Sequence, residues 1–205
     1  MPNRLLPLLL AAALGAGCAG SAPVRYYLID AEPGPVLRRE DPLALAIVDL
    51  EVPRYLERFQ LATRSTDNEL AYAADHQWGE PLRKMLLRVL AEHLAVVLST
   101  PDVATPEARL ASRPDLRLQV HLERFERGAD GFVELRGRWQ LTDADDGRVL
   151  LTEAARLGGG PRIADGDHRG LVAAMQARFA EFAQRIARSV AARAGDGEAA
   201  PGDEA

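Results

Sequence analysis

Apolar residues recur along this chain with two periods, and the changes from one to the other mark its elements. From residue 116 the alternation is strict. Leu116, Leu118, Val120 and Leu122 point one way, and Arg117, Gln119, His121 and Glu123 the other, the pattern of a strand with one buried and one wet face. Gly128-Ala129-Asp130-Gly131 supplies a turn, after which Val133, Leu135, Trp139 and Leu141 resume the alternation. Asp145-Asp146-Gly147 turns the chain again, and residues 149–157 give a third strand. The three form an antiparallel meander.

Two segments carry the helical period instead. Over residues 80–98, Leu82, Leu86, Val89, Leu90, Leu94, Val97 and Leu98 make one apolar face, with Pro81 in the first turn and Pro101 beyond the end. The missing N–H of a proline costs nothing in a first turn. Over residues 168–193, Leu171, Met175, Phe179, Phe182, Ile186 and Val190 recur at steps of three and four, with Arg178, Glu181, Arg185 and Arg188 opposite. Nearer the start, residues 26–29 read as a short strand closed by Pro33-Gly34-Pro35. Residues 43–52 are a nearly continuous apolar run that Pro53 stops, which suits a central strand covered by helix. Residues 59–64 and 69–73 flank Ser65-Thr66-Asp67-Asn68 and predict a hairpin. Asp75 to Glu80 reads as a loop, with Trp78 packed under the start of the helix. The fold class expected is α+β: a mostly antiparallel mixed sheet with two amphipathic helices packed on one face.

The first twenty residues fit neither period. Arg4 precedes ten apolar residues, 5–14, and Gly15-Ala16-Gly17 leads to Cys18. A bilayer-spanning helix needs about 20 apolar residues, so this stretch reads as a removable export signal. Cys18 is the only cysteine, which rules out an intramolecular disulfide. The segment resembles the lipobox of bacterial lipoproteins: Ala16, Gly17 and Cys18 match it, while Gly15 stands where a larger apolar residue is usual. The resemblance implies cleavage before Cys18, acylation of that residue, and, with Ala19 rather than Asp next, delivery to the outer membrane on its periplasmic side. The chain then divides into a signal peptide (1–17), a lipidated N-terminus with a short tether (18–24), a single α+β domain (25–194) and a disordered acidic tail (195–205).

Charge narrows the partners. Removing residues 1–17 takes Arg4 from the 25 Lys+Arg and leaves the 30 Asp+Glu, a net charge of −6. That leaves no basic field for nucleic acid or anionic head groups. No nucleophile elbow, phosphate-binding loop, dinucleotide fingerprint or HExxH motif occurs. His76, His93, His121 and His168 show no metal-ligand spacing. Asp143, Asp145 and Gly147 lack the glycine and glutamate positions of a calcium loop and read as a turn. No catalytic residue, cofactor or metal site is expected, and the chain reads as not an enzyme.

Several segments together resemble the PqiC/YmbA family, auxiliary lipoproteins of ABC-type transport systems. They are Tyr26-Tyr27-Leu28, Val52-Pro53-Arg54-Tyr55-Leu56, Thr63-Arg64 with Asn68-Glu69-Leu70, His76-Gln77-Trp78-Gly79-Glu80-Pro81-Leu82, and Leu90-Ala91-Glu92-His93-Leu94. The resemblance implies a periplasmic lipoprotein. Its implied partners are a protein of the mammalian-cell-entry (MCE) type and an inner-membrane ABC transporter that moves lipids between the two membranes or maintains envelope integrity. It carries over no catalytic residue. Pro53, Tyr55, Phe59, Tyr72 and Trp78 concentrate rigid and aromatic side chains, as docking anchors often do; filling the core beneath the loops is the competing reading for the same five. Two other functions stay open, a lipid-binding carrier and an activator of a cell-wall enzyme, as does assembly into a homo-oligomer.

Overall fold

The computed structural model describes residues 23–37, 43–108 and 113–196. The signal segment, Cys18 and most of the acidic tail lie outside the described residues. Strands β1 (Arg25–Tyr27) and β2 (Leu45–Glu51) lead to a 3-10 turn at Arg54–Leu56. There follow the hairpin β3 (Gln60–Thr66) and β4 (Glu69–Trp78), helix α1 (Leu82–Val97), and a two-residue strand β5 (Val103–Ala104). The meander β6 (Leu116–Arg127), β7 (Val133–Asp143) and β8 (Val149–Leu157) precedes the last helix, α2 (His168–Asp196). Among the described residues no helix is long and apolar enough to cross a membrane.

β6 organises the sheet. One of its edges runs antiparallel to β7 along almost its whole length. Its other edge is shared: β2 lies parallel beside Leu116–His121, and β3 meets it at Arg127. The sheet therefore runs β1-β4-β3-β6-β7-β8, with β2 filling the first half of the shared edge and β5 pairing with the far side of β2. β1 pairs parallel to β4 at one margin and β8 closes the other. The result is the α+β fold with a mixed sheet that the patterning predicts; among the described residues the sheet has eight strands, of which β5 is not among those expected.

Both helices lie on one face. Leu118, Val120 and Leu122 of β6 and Leu135, Trp139 and Leu141 of β7 project into a core that Leu86, Leu90 and Leu94 of α1 and Phe179, Phe182 and Ile186 of α2 complete. Trp139 meets Phe182 edge-on, ring centroids 5.4 Å apart at 87°, an arrangement favoured by the ring quadrupoles. Gly137 of β7 makes this approach feasible. A Cβ there would lie 2.8 Å from Leu122 Cδ2 and 2.9 Å from Phe182 Cζ.

The helix ends follow from local chemistry. Ser99, at φ 53°, takes the left-handed position after α1. The Ser99 N–H donates to Val96 O and the Thr100 N–H to Ala95 O, closing a Schellman motif. Asp167 Oδ1 accepts the Gly170 N–H at 2.9 Å and caps the start of α2.

Three expectations change in detail. The hairpin's second strand does not end at Ala73 but runs to Trp78, so the first four residues of the segment read as a loop are strand; β1 supplies the pairing that the sequence pattern does not announce. Helix α1 begins at Leu82, with Pro81 as its capping residue rather than inside the first turn. Helix α2 continues to Asp196, past the point where the tail is expected to begin.

Candidate functional site

Opposite the helices the sheet has an open, polar face, and the residues with unusual chemistry gather at one end of it. The alternation of β6 breaks after Leu122: a bulge at Glu123 puts Arg124 beside Arg136, Phe125 beside Leu135 and Glu126 beside Glu134. The bulge returns Phe125 to the core, where it meets Phe179 at 6.0 Å, and turns Arg124 and Glu126 outward. The 3-10 turn and β3 then close over Glu126, leaving it 0% exposed.

A buried carboxylate needs partners, and Glu126 has four. Tyr55 Oη donates to Oε2 at 2.8 Å and the Phe125 N–H to the same oxygen at 3.0 Å. Arg64 Nε donates to Oε1 at 3.1 Å, and Arg124 Nε lies 3.0 Å from it. Burial, and then the hydrogen bond and charge of Glu126, push the Tyr55 phenol well above its ordinary value. Glu134, opposite, is paired with Arg124 (2.9 Å), Arg136 (2.7 Å) and Arg156 (2.6 Å). Burial works to raise the Glu134 carboxyl, but the Arg136 hydrogen bond and the three guanidinium charges outweigh it and hold it below the usual range. Four arginines against two glutamates leave a local positive excess in a chain whose net charge is −5.

Two of the expected docking residues join this cluster. Tyr72 Oη donates to the Tyr55 carbonyl at 3.1 Å, the Arg58 guanidinium lies over the Tyr72 ring at 4.8 Å, and that of Arg64 over the Tyr55 ring at 6.0 Å. Pro53, half-buried, opens the turn, and Phe59 stands 50% exposed at the start of β3. Trp78 does not belong with them. It is 3% exposed and sits in the core, the competing reading of that residue, and so takes no part in a docking surface. Sequence reading missed Arg58, Arg64, Arg124, Glu126 and Glu134. The one available signal was Phe125, out of phase with the alternation before it.

Further along the same face, Asp49, Glu51, Gln119, His121, Arg138 and Gln140 line an open groove of about 420 Å³, with His121 Nδ1 2.8 Å from Glu51 Oε2. The other histidines lie on the helix side. His93 is buried, its Nε2 donating to Gln184 Oε1 at 3.1 Å, and burial lowers its pKa. His168, first residue of α2, stacks on His76 with centroids 3.7 Å apart, and Tyr27 Oη lies 2.7 Å from His76 Nδ1. Burial first, then the charge of His76, lowers the pKa of His168. None of these arrangements sets a nucleophile beside a base and an anion-stabilising site. Among the described residues no group of three or more His, Cys, Asp or Glu could hold a metal ion.

Comparison with solved structures finds the same fold elsewhere. Protein XCC0632 from Xanthomonas campestris superposes with a TM-score of 0.68 at 16% identity, over 84% of this chain and 98% of the other. A protein described only as uncharacterized gives 0.66 at 22%, over 82% and 99%. PelC from Paraburkholderia phytofirmans, crystallised as a dodecamer, reaches only 0.41 at 17%, over 73% and 91%. Comparison with curated proteins gives no match. The sequence profile of the ABC-type transport auxiliary lipoprotein components, however, matches residues 26–187, nearly the whole folded region. The chain belongs to the family of ABC-type transport auxiliary lipoprotein components, the PqiC/YmbA type.

Proposed function

We propose that this protein is an acylated, non-catalytic component of an MCE-type ABC transport system, held by Cys18 on the periplasmic side of the outer membrane. In this reading it serves lipid movement between the two envelope membranes. The observation that carries the proposal is the family match over residues 26–187. The N-terminal Gly15-Ala16-Gly17-Cys18 sequence supports the anchor and Ala19 the outer membrane. One acyl chain holds a protein only marginally, whereas two or three make release slow.

The docking surface proposed is the cluster on the open face: Pro53, Tyr55, Phe59 and Tyr72, with Arg58 and Arg64 stacked on the two tyrosine rings. Rigid aromatic and arginine side chains are the residue types that dominate interface energetics, and the buried Glu126 network holds Tyr55 and Arg64 in place before any partner arrives. Preorganisation of this kind lowers the entropic cost of association.

The test has two arms. Labelled palmitate should enter the wild-type protein and not Cys18→Ala, which should move from the membrane to the soluble fraction. Cross-linking of the wild-type protein in cells should recover an MCE-domain protein and its ABC permease, and Phe59→Ala with Arg58→Ala should weaken that recovery. Recovery of a cell-wall synthase in place of the transport proteins would overturn the assignment.

A further inference from the structure

The segment that follows the anchor leaves an apolar stripe uncovered. β1 pairs with β4 on one edge and, among the described residues, has no strand on the other. Along it Val24, Tyr26 and Leu28 are 41%, 67% and 53% exposed. Tyr27 packs inward against the core, and Ile29 is buried. An extended chain sends alternate side chains to opposite sides, so the three exposed residues share one side. A bare edge strand ordinarily carries charge or proline instead, and the other large exposed apolar residues, Val36, Val48, Phe59, Val96 and Val149, are scattered through the sequence.

What covers the stripe follows from where the chain leads. Val24 is six residues from Cys18, and six extended residues reach about 20 Å. A domain whose Cys18 acyl chains lie in a bilayer thus carries this strand at the bilayer surface. The chemistry fits that depth: tyrosine favours the membrane–water interface. The unpaired backbone groups of a bare edge would be costly in hydrocarbon but find partners among water and head groups.

We propose that Val24, Tyr26 and Leu28 form a membrane-resting edge, occupied by the lipid surface of the leaflet that holds the anchor. β1 lies in the head-group layer with three side chains reaching deeper, and β8, at the opposite margin of the sheet, faces away. The anchor already confines the domain to the surface, so a small contact is enough to fix its orientation. This inference rests on the acylation of Cys18 proposed above.

The two native tryptophans, Trp78 and Trp139, are both core residues, so an introduced indole reports separately. Tyr26→Trp and Leu28→Trp, with Val149→Trp on β8 as the contrast, are prepared as the acylated protein. They are reconstituted into phosphatidylethanolamine–phosphatidylglycerol vesicles containing phosphatidylcholine brominated near the top of its acyl chains. Indoles reaching about 5 Å into the boundary between head groups and acyl chains meet the bromines, and quenching of at least about twofold over Val149→Trp is expected at both positions. Vesicle flotation is measured on the same samples. Failure to float overturns the anchor reading itself. Flotation with no more quenching at 26 and 28 than at 149 overturns the membrane-resting edge while the anchor stands. Protection from acrylamide without lipid quenching, growing with protein concentration, assigns the stripe to a second copy of the chain and overturns it equally.

Discussion

Glu126 and Glu134 face each other across β6 and β7, an arrangement that costs stability when the charges are left alone. The guanidiniums of Arg64, Arg124, Arg136 and Arg156 reverse that cost. Because Glu126 is fully buried, removing its charge strands Arg64 and Arg124 with half their partners. Glu126→Gln is expected to destabilise the fold by about 3 kcal/mol, read as a lower urea midpoint at unchanged slope, and to free the 3-10 turn that Tyr55 pins. Little of this cluster is legible in the sequence. Tyr55, Arg64, Arg124, Glu126 and Glu134 come from four separate segments, and only the strand register and the bulge at Glu123 bring them together. Tyr55 and Tyr72 stand out as aromatic residues, yet nothing in their spacing says they touch.

At the scale of elements, two substitutions test the local account. Ser99 occupies a left-handed position that glycine adopts without strain. Ser99→Gly should therefore stabilise the protein by about 1 kcal/mol, seen as a higher melting temperature. Gly137→Ala should act in the opposite sense. Its methyl would press on Leu122, Phe182 and the His121 carbonyl, and an overpacked core costs about 1–3 kcal/mol. Thermal melts of the two variants beside the wild type decide both. The elements the sequence reveals best are those whose burial pattern is a single period: β6 up to Leu122, β7, α1 and α2. β4 is harder, since its register with β3 jumps between Tyr72 and Gln77. Asp75, His76 and Gln77 consequently show no alternation and imitate a loop. β5 is two residues long and exists only because β2 offers it an edge.

At the scale of the molecule, the histidines make stability depend on pH. His93 and His168 both have folded-state values held below the ordinary one. As pH falls below about 6.5, the unfolded chain takes up protons at these sites that the folded chain does not, and stability declines. The lowered Glu134 carboxyl acts in the same direction at more acidic pH, its contribution being lost as pH falls through the folded-state value. Melting temperature should hold steady above about pH 7 and drop through the mildly acidic range, and His93→Gln should flatten that drop. The shared edge of β6 has a consequence of another kind. Ala44 and Asp115 meet across a sequence separation of 71, and β2 lacks its long pairing partner until β6 has been synthesised. Such distant closures make folding slow. In the proposed reading the chain is threaded through an export pore before it folds and gains from that delay: β2 emerges without β6 and stays pliable until the later strands follow.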